Sequence, residues 1–525
     1  MNQKQDKIKV LGITGAAFGC ILFLLSFMLI NFRLFPIFND SDMFVDLYPA
    51  KLMWEQKKLF PENWVFGNQY FTIASPVWTA LFYGITGKLC FSMALSVTLL
   101  TLLICAAWLW MLAPLRRDHS IGAVLLSVLL LLGGMLGYDI VHTQQGQIFF
   151  LCTAYYASYL LTLLVVYGCY ARMLKKTKIS AVMYGIALIL CFATGMQSLR
   201  QTAVMVLPLG CVEALRQLLA FRENKKLTKK EILRGIHALG YAVANAAGFL
   251  FIKVVIKPAH HNVYGNTSSR STEDTLEGVR TSVKALLGTV GLLSGTKEDT
   301  VLKLALFLLA VMVLVAVLWA LVKMLCKKEF SAELAILLLF WIGILGVLLP
   351  GCLFNIVVRP IYYFTWYPLV AISLYYVWET AGEKRNMIGV LLTVGLGVNY
   401  LCSYLPSVSE ALRRPRTEEQ EIVSYLEEHN ISYLYGDWSY VLGIAMTADG
   451  RVVPGGWYFE TYQVLPYVNP LGIYGDEENE KALILLTEDD SEAIAIAEER
   501  GVMLQQVFAT EKYTLYKADA QLMYE

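Results

Sequence analysis

The stretch Val301-Leu-Lys-Leu-Ala-Leu-Phe-Leu-Leu-Ala-Val-Met-Val-Leu-Val-Ala-Val-Leu-Trp-Ala-Leu-Val-Lys-Met324 decides the architecture. Between Lys303 and Lys323 it carries no charged residue. Wound as a helix at about 1.5 Å per residue, that uncharged interval runs ~29 Å, close to the ~30 Å hydrocarbon core of a bilayer. The same criterion applied outward in both directions predicts eleven spans, near residues 10–31, 88–113, 120–136, 148–170, 180–197, 203–220, 236–256, 301–324, 331–350, 361–378 and 387–404. Residues 71–86 are apolar but hold Pro76, and read as a re-entrant or interfacial piece. The first run is too long for a signal-peptide core and shows no small-residue cleavage site, so it reads as an anchor.

Composition agrees. Of 525 residues 57% are hydrophobic and 16% charged, where a soluble domain carries roughly a quarter charged. This excludes a single soluble globular enzyme, a disordered protein and a nucleic-acid binder built on a basic surface. The net charge of +1 hides an asymmetry: residues 405–525 hold 8 Lys/Arg against 22 Asp/Glu, while residues 1–404 hold 35 against 20. A cationic membrane body therefore carries an acidic, less hydrophobic tail, and the chain divides into a transmembrane domain over 1–404, with outer loops 31–70 and 257–300, and an α/β domain over 405–525.

Lys and Arg are retained on the cytoplasmic side of a membrane. Here they cluster at Lys4–Lys9, Arg116/Arg117, Arg172–Lys178, Arg216–Arg234, Lys323–Lys328 and Lys384/Arg385, on alternate sides of the predicted spans. The pattern predicts an integral protein of the cell membrane with its N-terminus cytoplasmic and its tail and two long loops extracytoplasmic. A full crossing at 71–86 would break the alternation. In the tail, Thr417–His429 reads as a helix opening on a capping-box-like Thr417-x-x-Gln420. Tyr433–Tyr435 and Ala482–Thr487 read as short buried strands, Ser491–Gly501 as a helix closed by its glycine, and Gln506–Tyr516 as an alternating strand.

Nine of the ten cysteines lie in or at the ends of apolar runs and Cys352 falls in a short loop. With no CxxC and no thiol in the tail, they read as apolar filler and not as a disulfide framework or zinc site. His260-His261 lacks a third ligand and reads as a polar loop. Nucleotide-binding, zinc-protease and serine-hydrolase signatures are absent from the sequence.

Ionisable groups at membrane level are costly and mark candidate sites. The densest set follows the first span in Phe38-Asn-Asp-Ser-Asp-Met-Phe-Val-Asp-Leu-Tyr48. Asp42 and Asp46 share a helical face at i,i+4, and Asp40 precedes them. One reading is helix capping; the other is a carboxylate at the membrane boundary, its pKa raised by partial desolvation toward that of a general base. A second set, Tyr138-Asp-Ile-Val-His-Thr-Gln-Gln-Gly-Gln147, offers Asp139, His142 and Gln145 for hydroxyl recognition, or is simply a solvated turn. Arg200, in Gln197-Ser-Leu-Arg-Gln-Thr202, and Arg359, in Val358-Arg-Pro-Ile-Tyr-Tyr-Phe364, sit at the outer ends of spans. Their guanidinium forks suit phosphate oxygens, the alternative being snorkelling to headgroups.

This layout resembles the GT-C superfamily of polytopic glycosyltransferases, which draw sugars from polyprenyl-phosphate carriers. It is similar above all to protein mannosyltransferases and lipid A aminoarabinose transferases. The resemblance rests on a single N-terminal span leading to Asn39-Asp-Ser-Asp42, polar outer hairpins, the late Arg359-Pro-Ile-Tyr-Tyr363 motif and a terminal α/β domain. It departs from the family pattern in the spacing Asp40-x-Asp42, where many relatives have adjacent acids, and in Pro360 between the arginine and its aromatic pair. The resemblance implies an inverting transfer to an acceptor hydroxyl in a glycan, lipid or protein. Asp42 would serve as base with Asp40 as runner-up. Asp46, Asp139, His142, Gln145, Arg200, Arg359 and Tyr362 would be substrate-binding residues. It implies no cofactor, with a divalent metal left open. Two other classes fit the composition: a carrier or flippase, which predicts polar groups through the membrane depth, and a non-catalytic assembly or sensor protein, in which Asp42 and Arg359 are dispensable.

Overall fold

A backbone in hydrocarbon must satisfy its own hydrogen bonds, so the apolar runs become helices. The structure, a computed structural model, describes the chain apart from residues 1, 35–44, 46, 68, 138–154, 176, 178, 259–267, 294–299, 328–329, 357, 414–416, 459–462, 467, 488–489 and 522–525. Its first half holds α1 (Asn2–Leu29), α2 (Leu47–Gln56), α3 (Ser75–Thr86), α4 (Leu89–Leu112), α5 (Ile121–Leu132), α6 (Tyr155–Leu174), α7 (Ala181–Gln197), α8 (Leu207–Asn224) and α9 (Lys229–Phe251). Then come α10 (Thr272–Val290), α11 (Thr300–Leu325), α12 (Ala332–Leu353), α13 (Trp366–Glu379), α14 (Arg385–Asn399) and α15 (Leu405–Arg413).

Each of the eleven predicted spans overlaps a helix, but among the described residues eight are long and apolar enough to cross a membrane. Ile121–Leu132, Ala181–Gln197 and Trp366–Glu379 are shorter. The chain is an integral membrane protein. Residues 71–86 yield α3, whose 12 residues, with Pro76 in the first turn, are too few for a crossing. Cys352, expected in a loop, lies in α12; the nine described cysteines are all free.

Several helices start at a hydroxyl that accepts an otherwise unpaired amide: Ser120 from Ala123, Ser180 from Met183 and Ser331 from Leu334. Thr228 and Glu231 form a full capping box at α9. Such caps contribute about 1 kcal/mol each. α7 and α9 cross closely through glycines. A Cβ at Gly195 would stand 2.0 Å from the Asn245 carbonyl oxygen, and one at Gly248 would stand 2.0 Å from that of Phe192. Small residues permit this backbone approach, the usual means of helix association in lipid.

The tail continues with α16 (Glu418–Glu428), β1 (Tyr433–Asp437), α17 (Trp438–Thr447), β2 (Val453–Tyr458), β3 (Gln463–Val464), α18 (Asp476–Glu480), β4 (Ala482–Thr487), α19 (Ser491–Glu499), β5 (Leu504–Ala509) and β6 (Tyr513–Ala518). The six strands form one sheet in the order β3-β2-β1-β4-β6-β5. β1 runs parallel to β2 and β4, with Leu434 opposite both Pro454 and Leu483, while β6 runs antiparallel to β4. Alternate residues face opposite sides of a strand. Leu434, Leu483, Leu485 and Leu515 pack with Ile422 and Leu426 of α16 and with Ile444 of α17. Tyr435, Trp457, Ile484 and Leu486 pack with Ala493 and Ala497 of α19. The segment expected as one strand over 506–516 is instead the β5–β6 hairpin, turned at Thr510, whose backbone N–H donates to the Tyr513 carbonyl at 2.8 Å. β2 and α17 were not legible as such. Gly455 and Gly456 lie so close to Tyr435 and Trp438 that a Cβ would come within 2.6 and 3.0 Å of them.

Packing groups the chain into two units. The first comprises Met1–Met28, Leu99–Val255 and Gly265–Ser409; the second comprises Leu29–Thr98, Ile256–Tyr264 and Glu410–Glu525. Within the second unit, residues 63–65 run beside residues 468–471. The Val65 amide donates to the Asn469 carbonyl (3.0 Å), Val468 to Val65 (2.8 Å) and Leu471 to Asn63 (2.9 Å), with Trp64 paired antiparallel to Pro470.

Candidate functional site

Within the first unit a set of polar and aromatic side chains converges where α7 ends. Ser198 leaves the helix in an extended conformation, and the next residues are fastened to the start of α6. Gln197 Nε2 donates to Ser158 Oγ at 3.2 Å, and Gln201 Nε2 donates to the Tyr159 carbonyl at 3.2 Å. The Ser198 and Tyr159 hydroxyls are 2.7 Å apart, and the Arg200 amide donates to Ser198 Oγ at 3.2 Å. A π-helical turn over Thr202–Val206 follows. There Thr202 donates to Asn245 Oδ1 at 2.8 Å, and Asn245 Nδ2 to the Cys191 carbonyl at 3.1 Å. Single π-turns inside helices are frequent at functional sites.

These bonds fix the backbone on both sides of Arg200. Its guanidinium carbon lies 4.7 Å from the ring centre of Tyr156 on α6 and 4.6 Å from that of Tyr362. The two ring centres are 6.0 Å apart and the planes are inclined at 35°. Three comparable distances make a triangle, so the cation sits in the corner between the rings and is not sandwiched by opposite faces. Cation–π contact is worth about 0.5–1 kcal/mol at an exposed site and about 2 when desolvated. Tyr156 is buried; Arg200 and Tyr362 are half-buried.

Tyr362 comes from a 3-10 turn over Pro360–Tyr363. Pro360 suits its first position because the missing N–H would have no partner there anyway. The Tyr362 amide donates to the Arg359 carbonyl at 3.0 Å. α10 secures the turn twice: Tyr363 donates to the Ser282 carbonyl at 3.0 Å and Thr289 to the Pro360 carbonyl at 2.8 Å. Arg359, the turn's N-cap, has an exposed side chain.

Of the residues singled out in the sequence, the structure therefore brings together Arg200 and Tyr362, with Arg359 on the same turn as Tyr362. Asp40, Asp42, Asp46, Asp139, His142 and Gln145 lie outside the described residues. Tyr156, Tyr159 and Ser198 were missed. Tyr156 and Tyr159 sit in a run with no local mark of function, Ser198 stands two residues before Arg200 in the stretch already singled out, and Tyr156 meets Tyr362 only through the fold. Among the described residues no three His, Cys, Asp or Glu side chains gather in a metal-holding group.

A second polar cluster was also missed. Glu213 of α8 accepts from Tyr170 at 2.7 Å, from Gln217 at 3.0 Å and from Arg234 Nε at 3.1 and 3.2 Å, with Arg216 Nε 3.4 Å away. Glu213 and Arg234 are both buried. The sequence placed Arg216–Arg234 in a basic loop, whereas α8 and α9 extend into it from both sides. The single acid in the apolar run 207–220 was the available signal.

No protein-family model matches the chain and no curated protein matches it. Solved structures do. ArnT from Cupriavidus metallidurans bound to undecaprenyl phosphate aligns over 98% of this chain and 99% of its own, with a TM-score of 0.54 and 12% identity. The apo state of the same protein aligns over 98% of each chain, with a TM-score of 0.53 and 12% identity. An archaeal oligosaccharyltransferase, AglB from Archaeoglobus fulgidus in complex with an inhibitory peptide and a dolichol-phosphate, aligns over 94% of this chain and 69% of its own, with a TM-score of 0.47 and 13% identity. The long helices, the small terminal sheet and this near-complete alignment with ArnT together give the chain a GT-C-type membrane fold.

Proposed function

We propose that the chain is a membrane glycosyltransferase that moves a sugar from a polyprenyl-phosphate carrier to an acceptor hydroxyl at the extracytoplasmic face. The observation that carries this reading is the Arg200 guanidinium held in the Tyr156–Tyr362 corner. A guanidinium stays charged at any working pH, and its planar fork matches two phosphate oxygens. Support for the lipid comes from the likeness in fold to ArnT, itself captured with undecaprenyl phosphate.

In this reading Asp42, or Asp40 beside it, takes the proton of the acceptor hydroxyl. The freed oxygen attacks the anomeric carbon with inversion, and the bond from that carbon to the carrier phosphate breaks, leaving its electron pair on the phosphate. Arg200, with Arg359 secondary, stabilises the charge that appears there. Fixed cations aimed at developing charge are an effective form of catalysis, and removing one such group typically costs about 10²–10³ in kcat.

The test uses the purified full-length chain, undecaprenyl phosphate and an undecaprenyl-phosphate-linked sugar. Asp42→Asn should abolish turnover while lipid binding and folding persist. Arg200→Ala should weaken undecaprenyl phosphate binding while the thermal midpoint stays near that of the parent. Full activity in both Asp42→Asn and Asp40→Asn would remove the base, and unchanged affinity in Arg200→Ala would remove the phosphate site.

A further inference from the structure

The described residues of the outer loop expected over 31–70, and α3 after it, belong to the second unit. Residues 63–65 pair with residues 468–471 of the tail, and Trp64 is almost fully buried there. The Tyr48 ring of α2 packs on Trp64, centroid to centroid 5.9 Å. A second attachment lies at the end of α17, where Asp449 and Gly450 take consecutive left-handed conformations, φ 55° and 73°. Asp449 Oδ1 accepts the Cys90 amide at 2.8 Å. That amide is one of the first four of α4, which a helix cannot satisfy internally, and an acid is favoured at a helix N-terminus. The Gly450 carbonyl accepts from Lys51 Nζ of α2 at 2.7 Å, and Cys90 Sγ donates to the Met446 carbonyl at 3.1 Å. A Cβ at Gly450 would stand 2.9 Å from Leu89 Cδ2 and 3.5 Å from Lys51 Cδ. One two-residue turn of the tail thus grips α2 and the start of α4 together.

α2 begins at Leu47, the residue after Asp46 and seven after Asp40. We infer that the Asp449–Gly450 turn is a positioning element for α2 and the start of α4, and that the tail serves as the scaffold on which these two elements are set. The role assigned to the aspartates rests on the transferase reading; the grip on α2 and α4 does not. Asp449 is a positioning residue and acts through α4, while Lys51 carries the same constraint into α2. Misplacing a reacting group by about 1 Å can cost on the order of 10² in rate, so a loosened grip should appear in kcat.

The experiment compares Asp449→Ala, Asp449→Asn and Lys51→Met in the full-length chain by two readouts. In turnover with an undecaprenyl-phosphate-linked sugar, Asp449→Ala and Lys51→Met should lower kcat by about tenfold or more, with KM for the lipid donor changed less than about twofold. Asp449→Asn, which keeps the acceptor oxygen, should recover most of kcat. In hydrogen exchange, Asp449→Ala should speed exchange in peptides covering 47–56 and 89–93 while peptides covering 156–174 stay at the parent rate. Equal loss in Asp449→Ala and Asp449→Asn, or a parent-like kcat in Asp449→Ala, would overturn the positioning role. If the parent shows no turnover the transferase reading fails alone, and the exchange result then decides the inference: unchanged exchange over 47–56 and 89–93 overturns the grip.

Discussion

At the scale of single residues, Arg200 needs its aromatic corner. Tyr362 supplies one wall of it, at 4.6 Å, and the wall is the ring, not the hydroxyl. Tyr362→Ala should therefore weaken undecaprenyl phosphate binding by about 1 kcal/mol, roughly fivefold, whereas Tyr362→Phe should bind like the parent. Calorimetric titration separates the two, and equal losses would place the effect in the hydroxyl. Arg200 itself was legible in the sequence because a lone cation between apolar runs has few reasons to be there. Tyr156 was not legible. It lies in Tyr155-Tyr-Ala-Ser-Tyr159, where nothing local distinguishes the ring that meets Tyr362. Sequence marks charge out of place; it does not mark which neutral rings a charge will meet.

Among elements, α6, α8 and α9 are joined by Glu213 and its partners. Removing one member of a buried ion pair leaves an uncompensated charge and costs about 3–5 kcal/mol, while replacing the pair by apolar groups is often neutral. Glu213→Ala should thus lower the thermal midpoint sharply, and adding Arg234→Met should restore part of it. A double variant no better than the single one would show that the pair does not couple these helices. Element legibility followed burial. Ala482–Thr487 was read correctly because a strand covered on both faces is a continuous apolar run, and here it runs Ala-Leu-Ile-Leu-Leu before Thr487. β2, Val453-Pro-Gly-Gly-Trp-Tyr458, carries the residues that usually end strands. Its glycines are required by Tyr435 and Trp438, neighbours from elsewhere in the chain.

Over the whole molecule, hydropathy marks the apolar helices and charge marks the acidic tail, but neither could disclose that the described residues of 29–98 group with that tail. That grouping depends on Trp64 meeting Pro470 and on Cys90 meeting Asp449, pairings that leave no periodic trace. It follows that deleting residues 410–525 should expose the stretch 57–70. Limited proteolysis of that stretch should accelerate well beyond the parent rate, and equal rates would show that it keeps its structure alone. The same grouping has a consequence for biosynthesis. Residues 29–98 leave the ribosome more than 300 residues ahead of the partners they pair with. At ~5–20 residues per second the interval is roughly 15–60 s. Through that interval Trp64, buried in the finished protein, waits without Pro470, its partner in the tail. The nascent chain is therefore a natural client for a holding chaperone, and faster elongation should raise the yield of folded protein.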